Sequence, residues 1–345
     1  MKIGFLPPFQ KNESLYSYLA NLYMKSGYLS ARQFMDDVFG KQVPIDKDFY
    51  NVFDKEFFRQ FKETHDWKDV LLNHTCFKYF TRFISNEQRK AAWNIAIKNG
   101  GDLRRQIILP RNYNSKNERK LKYCPCCSLD NNIPYYSVSH QYKESVVCPA
   151  CGCYLKEATT RADNAHLGVF HPLANESLSV SLKMASEGDI EYRLSRYIDK
   201  VNNCGLIIDC KATIGEYLSY RLRGTKYLKG IRGGKKDMEG MYKDIIGFYK
   251  GLQNNPLTLA HLKFIFEDKM NGAYEICLIS MFLHIEPDEL ARYGEKPIRP
   301  LSEEVDEQII KLYKEGKKYY QIADALQCPR ETVRKVILKL NMSYK

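Results

Sequence analysis

The chain has 345 residues, of which 44% are apolar and 27% charged. At about 100–200 residues per domain, that predicts two or three globular units and excludes a disordered or fibrous chain. No apolar run approaches the ~18–20 residues of a membrane helix, Pro7-Pro8 interrupt the N-terminus before a signal-peptide core can form, and the net charge of +12 favours an anionic partner, nucleic acid foremost. The expected protein is therefore cytoplasmic and basic.

The first hundred residues read as short amphipathic helices. Leu15, Leu19, Leu22 and Tyr23 recur at helical spacing, with Asn12 or Ser14 as the cap. Phe34, Met35, Val38 and Phe39 mark a second helix that Gly40 can end, and Phe53, Phe57, Phe58 and Phe61 form an aromatic stripe whose expected place is the core. A short helix follows from Val70, and another from about Asn86 to Lys98, stopped at Gly100-Gly101. From Arg104 to Lys122 a basic connector carries a single acid, Glu118, and runs into a cysteine cluster.

The cysteines are the most specific signal. Cys124/Cys127 and Cys148/Cys151 form two CxxC knuckles, 20 residues apart. Two such turns can hold four thiolates around one tetrahedral Zn²⁺, a closed structural site with no open position for activating water. Paired knuckles argue against a thioredoxin-like redox motif, which comes singly. Cys126 and Cys153 fall outside the CxxC spacing and are read as spare, and His140 as a packed or hydrogen-bonded ring. The alternation of Tyr136, Val138 and Val146 predicts a short β-hairpin between the knuckles.

A mostly helical region follows. Within it an acid-free run, Arg221, Arg223, Lys226, Lys229, Arg232, Lys235 and Lys236, is interleaved with Tyr220, Tyr227 and glycines. It reads equally as a solvated loop or as a segment tracking phosphates. Arg292–Pro300 reads as a linker. Beyond it, Ser302 to about Gly316, Tyr319–Leu326 and Arg330–Leu340 predict three helices with the apolar pattern of a helix-turn-helix: Ile322, small Ala323, Leu326, Cys328, Val333 and Val336. Gln327 stands in the turn where glycine is usual. The third helix presents Arg330, Glu331, Thr332, Arg334, Lys335 and Lys339 on its open side, the first of them placed for base edges and the later ones for phosphates. A trihelical protein-binding module is the alternative; the charge favours DNA.

Together these residues match a known pattern. Pro7-Pro8 with Glu13-Ser14-Leu15-Tyr16-Ser17-Tyr18-Leu19, then Asn73-His74-Thr75-Cys76-Phe77, Tyr79-Phe80, the Arg89–Ile97 helix, Tyr123-Cys124-Pro125-x-Cys127, His140-Gln141 and Cys148-Pro149-x-Cys151-Gly152 resemble the TnsD/TniQ family of transposition proteins over about the first 160 residues. Two departures stand out: Cys151 replaces the histidine often found as fourth ligand, and the longer target-site readers of the family carry further sequence after the helix-turn-helix. The resemblance implies a nucleoid-associated, prokaryotic protein. No nucleophile–base pair or open metal site emerges from the residues themselves, so no catalysis is expected; a cysteine-dependent or zinc hydrolase is the rival reading. By the same resemblance the protein would bind double-stranded attachment-site DNA and recruit a TnsC-type AAA+ ATPase, with transposase subunits as further partners. The alternative within the same family is an adaptor linking an RNA-guided CRISPR effector complex to that ATPase.

The expected fold is thus mainly α with a small zinc-ribbon β-hairpin and a C-terminal helix-turn-helix. The expected parts are a helical domain over 1–120, a Cys₄ zinc ribbon over 121–160, a mostly helical middle with the basic loop over 161–296, and the DNA-binding module over 297–345. The metal ligands are Cys124, Cys127, Cys148 and Cys151. The DNA contacts are Arg330, Glu331, Thr332, Arg334, Lys335 and Lys339, with Arg223, Lys226, Lys229 and Arg232 from the loop.

Overall fold

A computed structural model describes residues 3–43, 48, 51–100, 103, 121–130, 134–142, 144–158, 172–173, 182–228, 235–252, 255–298, 301–326 and 328–342. Among them the chain is mainly helical, with 16 α-helices and one two-stranded sheet. The basic connector Arg104–Lys120, the loop residues Lys229 and Arg232, and Gln327 lie outside the described residues. Two compact units divide the chain: Met1–Asp209 with Gly251–Pro256 and Asn271–Arg292, and Cys210–Lys250 with Leu257–Met270 and Tyr293–Lys345.

The first unit begins with α1 (Leu15–Lys25), α2 (Ala31–Phe39), α3 (Lys55–Thr64), α4 (Trp67–Asn73), α5 (Phe77–Thr81) and α6 (Asn86–Ala96). Each boundary has a chemical cause. Ser14 caps α1 by accepting from Ser17 N at 3.2 Å, Ser30 caps α2, and Asp54 caps α3. Gly40 ends α2 at φ +69°, a left-handed conformation that costs glycine nothing. Ser85 and Gln88 form a reciprocal capping box at the start of α6. Asn12, the other cap candidate, instead offers its carbonyl to Val138 N.

The aromatic stripe is core. Phe53 stacks on Phe39 with centroids 5.6 Å apart, Trp67 meets Phe58 edge-on at 5.3 Å, and Phe61 is fully buried beneath them. The buried Trp67 indole donates to the Ala96 carbonyl at 3.0 Å, so α4 is fastened to the end of α6.

The cysteine segment follows as β1 (Lys122–Tyr123), α7 (Pro125–Asp130), a single 3₁₀ turn at Val138–His140, and β2 (Lys156–Glu157). Strands β1 and β2 pair antiparallel, Lys122 opposite Glu157 and Tyr123 opposite Lys156. Among the described residues the small sheet therefore flanks the knuckles, and Val138–His140, where alternation predicts a strand between them, form a 3₁₀ turn. The Gln141 side chain, from between the knuckles, accepts from Lys122 N at 3.2 Å and donates to Lys122 O at 2.8 Å. One amide side chain thus satisfies both backbone groups that a neighbouring strand would have used.

Further along, α8 (Ile190–Asn203), α12 (Ala273–Phe282) and α13 (Pro287–Ala291) complete the first unit, α8 packing on the other two. The second unit contains α9 (Ile214–Arg221), α10 (Met238–Phe248) and α11 (Leu259–Phe266), then α14 (Leu301–Lys314), α15 (Tyr319–Ala325) and α16 (Arg330–Met342). Asp268 joins the ends of α9 and α11, accepting from Gly215 N at 2.8 Å and Thr213 Oγ1 at 2.6 Å. The last three helices enclose their own small core of Val305, Ile309, Ile322, Ala323, Cys328, Val333, Val336 and Ile337. No helix among the described residues is long and apolar enough to cross a membrane.

Candidate functional site

The four knuckle cysteines converge. Their sulfurs all lie within 4.8 Å of one another. Cys124 stands 3.4 Å from Cys151, Cys127 stands 3.8 Å from Cys148, and Cys127 is 3.7 Å from Cys151. Four thiolates at about 2.3 Å from one tetrahedral ion would stand about 3.8 Å apart, close to the separations seen, so the set fits a metal ion. Cys127 N also donates to Cys124 Sγ at 3.4 Å, a knuckle bond that orients the first sulfur. At the second knuckle Gly152 holds φ +77°, and a Cβ there would crowd the Tyr192 ring and the Ala185 carbonyl.

The electrostatics are those of thiols pressed together. Hydrogen bonds from Cys124 and Cys127, with a smaller contribution from His140, pull the Cys148 thiol far below its ordinary pKa. The hydrogen bond with Cys127, then that with Cys148 and burial, pushes Cys124 up. Four thiolates in this space require a cation in their midst. His140 approaches Cys148 Sγ at 3.4 Å through Nε2 and supports the site from outside the four-sulfur group. Cys153 is buried beside the knuckles with its Sγ near the Tyr154 carbonyl.

The site is held from three sides, and the sequence motifs explain how. Glu13 is buried and accepts from Gln10 N, Ser17 Oγ and Asn21 Nδ2 at 3.0–3.1 Å. Burial, working against those bonds, raises its pKa. The same short stretch reaches the cysteine segment, because Ser14 N donates to Tyr136 O at 2.8 Å and Tyr136 N donates to Ser17 Oγ at 3.1 Å. The other motif docks here too: His74 Nδ1 lies 2.6 Å from Glu13 O, and Leu15 N donates to His74 O. Thr75 Oγ1 accepts from Phe77 N and so starts α5. From the far side, Ser195 on α8 donates to Val147 O at 2.7 Å, and Ala185 N donates to Gly152 O at 2.8 Å.

Two buried arginines finish the frame, and composition gave no warning of them. Arg82 donates to the carbonyls of Cys204 and Gly205 at the end of α8 and of Ala291 at the end of α13, at 2.9–3.2 Å. Arg89 donates to the carbonyls of Thr81, Arg82 and Ile84 at 2.7–2.9 Å. Each guanidinium thus serves carbonyls left over at helix ends, where a cation is also favoured by the helix dipole. The Arg82 charge, after burial, helps lower nearby Lys78 to about 8. Motif recognition marked Arg89 only as the start of a helix; its role required knowing that α5 ends beside it.

The residues read as DNA contacts fall into two groups. On α16, Arg330, Glu331, Arg334, Lys335 and Lys339 are exposed and Thr332 half-buried, while Val333, Val336 and Ile337 face the three-helix core. Glu331 lies 4.0 Å from Arg334, a weak exposed pair. In the loop, Arg223 is mostly buried, pairs with Glu304 of α14 at 2.6 Å, and lies over the Tyr220 ring at 4.4 Å. Lys226 is exposed and pairs with Asp244 at 2.7 Å. Arg223 and Lys226 are thus engaged within the second unit.

Comparison with protein families finds that residues 5–155 match the family model of TniQ. The match covers the N-terminal helices and both knuckles and ends just before β2. No curated protein matches the chain.

Proposed function

We propose, from the TniQ domain that residues 5–155 form, that the chain is a non-catalytic, DNA-binding target-site selector for a TnsABC-type transposon. A TniQ domain ties the chain to transposition. In this reading the Cys124, Cys127, Cys148 and Cys151 thiolates hold one structural Zn²⁺, the ion best suited to a closed tetrahedral sulfur set. Such an ion supplies rigidity: it joins the two knuckles and leaves the protein side chains to do the binding.

The observation that carries the reading is the division of α16. Its apolar stripe, Val333, Val336 and Ile337, is buried in the three-helix core, and its cationic stripe, Arg330, Arg334, Lys335 and Lys339, is exposed. That is the arrangement a helix-turn-helix uses to enter a major groove, N-terminal residues on base edges and later ones on phosphates. Arg223 then serves to brace the loop against α14, with the DNA contacts concentrated on α16. The bound protein would mark a site for a TnsC-type AAA+ ATPase, with transposase subunits joining later.

Selection of bound duplexes from a random pool tests this. A direct reader returns a defined motif, and Arg330→Ala relaxes it at one or two positions, by roughly 1–3 kcal/mol per base lost. Recovery of no motif, with binding equal for all sequences, would instead fit an adaptor that leaves sequence reading to a guide RNA.

A further inference from the structure

The turn between α14 and α15 is built unlike the rest of the C-terminal helices. Tyr313, Gly316, Lys317, Lys318 and Tyr319 line a shallow depression of ≈ 610 Å³. Gly316 makes the bend at φ +83°, and Lys317 N closes it on Leu312 O at 3.1 Å. Lys317 and Lys318 are both exposed, as are Tyr319 and Tyr320, at 39% and 46%. Tyr313 and Tyr319 lie with ring centroids 5.9 Å apart, which fixes one wall of the depression. Glu315 is the one acid between Tyr313 and Tyr320, and it does not line the depression.

Two features of this turn are expensive for folding alone. The residue before α15 is Lys318, which brings no side-chain acceptor to the cap position that serine, threonine or aspartate would stabilise. Two adjacent tyrosines expose much of their rings where smaller polar residues would serve. Gln321 Oε1 accepts from Lys318 N at 2.9 Å and closes the cap from the other side, but the exposed cations and phenol rings remain, and residues of this kind are expected at functional surfaces. Two ammonium groups and two phenolic hydroxyls around a shallow concavity suit an anionic chain with hydrogen-bond acceptors on its surface.

We infer that this turn is a second DNA contact, gripping the sugar–phosphate backbone beside the groove that α16 enters. The inference rests on the helix-turn-helix reading of α14–α16 and deepens it by naming where the duplex is held as well as where it is read. Lys317 and Lys318 neutralise phosphates, and Tyr319 donates to a phosphate oxygen, contacts that fix register and carry no sequence information.

The test is the salt dependence of binding of the full chain to a fluorescent duplex of arbitrary sequence. Each phosphate neutralised steepens the slope of log K against log salt by roughly 0.9, so Lys317→Ala with Lys318→Ala should flatten it by roughly 1–2 and weaken binding about tenfold near 0.1 M salt. Lys317→Arg with Lys318→Arg should keep the slope. The comparison pair Lys55→Ala with Lys68→Ala, two exposed lysines of the first unit, should leave it unchanged. An unaltered slope in the first variant, or equal flattening in the Lys55/Lys68 pair, overturns the inference while leaving α16 as the reader. Failure of the wild-type chain to bind any duplex at low salt overturns instead the DNA reading of the module. All four lysines are exposed, so the variants should keep the wild-type melting temperature.

Discussion

The cysteine segment and the C-terminal three-helix cluster are of similar size but are held by opposite means. Around the knuckles, order depends on polar groups that must each find a partner: four thiols, the Gln141 amide on β1, the buried Glu13, and two guanidinium groups on helix-end carbonyls. In α14–α16, order depends on interlocked aliphatic side chains, Val305, Ile309, Ile322, Val333 and Ile337. Apolar packing degrades by increments as methylenes are lost. A polar frame degrades in steps, because each orphaned buried group carries its full desolvation cost. The cysteine segment and the polar frame around it are therefore the part expected to answer sharply to single changes.

On the proposed zinc reading, the sharpest change should be loss of the ion. Cys148→Ser, or a strong chelator added to the wild type, should release metal and open the segment between Leu121 and Ala158 to protease, since metal binding to such a site is folding free energy. Mass spectrometry of the fragments checks it. A segment that stays resistant after metal loss would mean the polar frame suffices by itself. Next comes Arg89→Met, which keeps most of the volume and removes the charge. It strands three carbonyls at the end of α5. At about 1–3 kcal/mol for each buried group left unpaired, chemical denaturation should report a loss of at least ~3 kcal/mol. A loss below about 1 kcal/mol would show that water replaces the guanidinium there.

How much of this was readable beforehand follows the same division. Period-3.6 stripes such as Phe53, Phe57, Phe58 and Phe61, or Val333 and Val336, announce their buried face because the period alone decides it. The convergence of Cys124, Cys127, Cys148 and Cys151 was equally legible, since paired CxxC spacing sets it. The partners of polar groups were not. Gln141 takes the place of a strand, and nothing in its neighbours' alternation of Tyr136 and Val138 could show that. Arg82 serves Cys204, Gly205 and Ala291, more than a hundred residues away along the chain. Arg223 stands in a glycine-rich basic run, the usual look of a solvated loop, yet it pairs with Glu304. In the stretch that reads as a linker, Tyr293 is buried and Gly294 accepts from Lys211 N. Long-range pairing of this kind leaves no periodic trace.

In the apolar cluster the response should be graded. Ile337→Ala removes methylenes from a fully buried position and should cost about 2–4 kcal/mol, with Ile337→Val at about 0.5–1.5 kcal/mol, read by denaturant unfolding. A step-like loss already at valine would place this cluster with the polar frame after all.

The smallest effect, and the one that separates the two regions by pH, concerns His74. Burial lowers its pKa from the ordinary 6.5, and the neighbouring Lys78 adds to this, while the Glu13 carbonyl and Asp69, 3.9 Å away, act in the opposite sense. Burial likewise lowers His65, whose ring lies 3.0 Å from the Tyr18 hydroxyl. A base with a depressed folded pKa binds fewer protons folded than unfolded. Its contribution is therefore complete above pH 6.5 and is lost as pH falls toward the folded value. Thermal unfolding from pH 7.5 downward should show the first unit weakening through this range. His74→Gln, which can still donate to the Glu13 carbonyl, should lessen the slope there. Acid release of a metal from the thiolates would affect both proteins alike, so the difference between their slopes isolates the histidine. Equal slopes would mean that His74 takes up its proton in the fold as readily as in the unfolded chain, and that the carbonyl and Asp69 together cancel its burial.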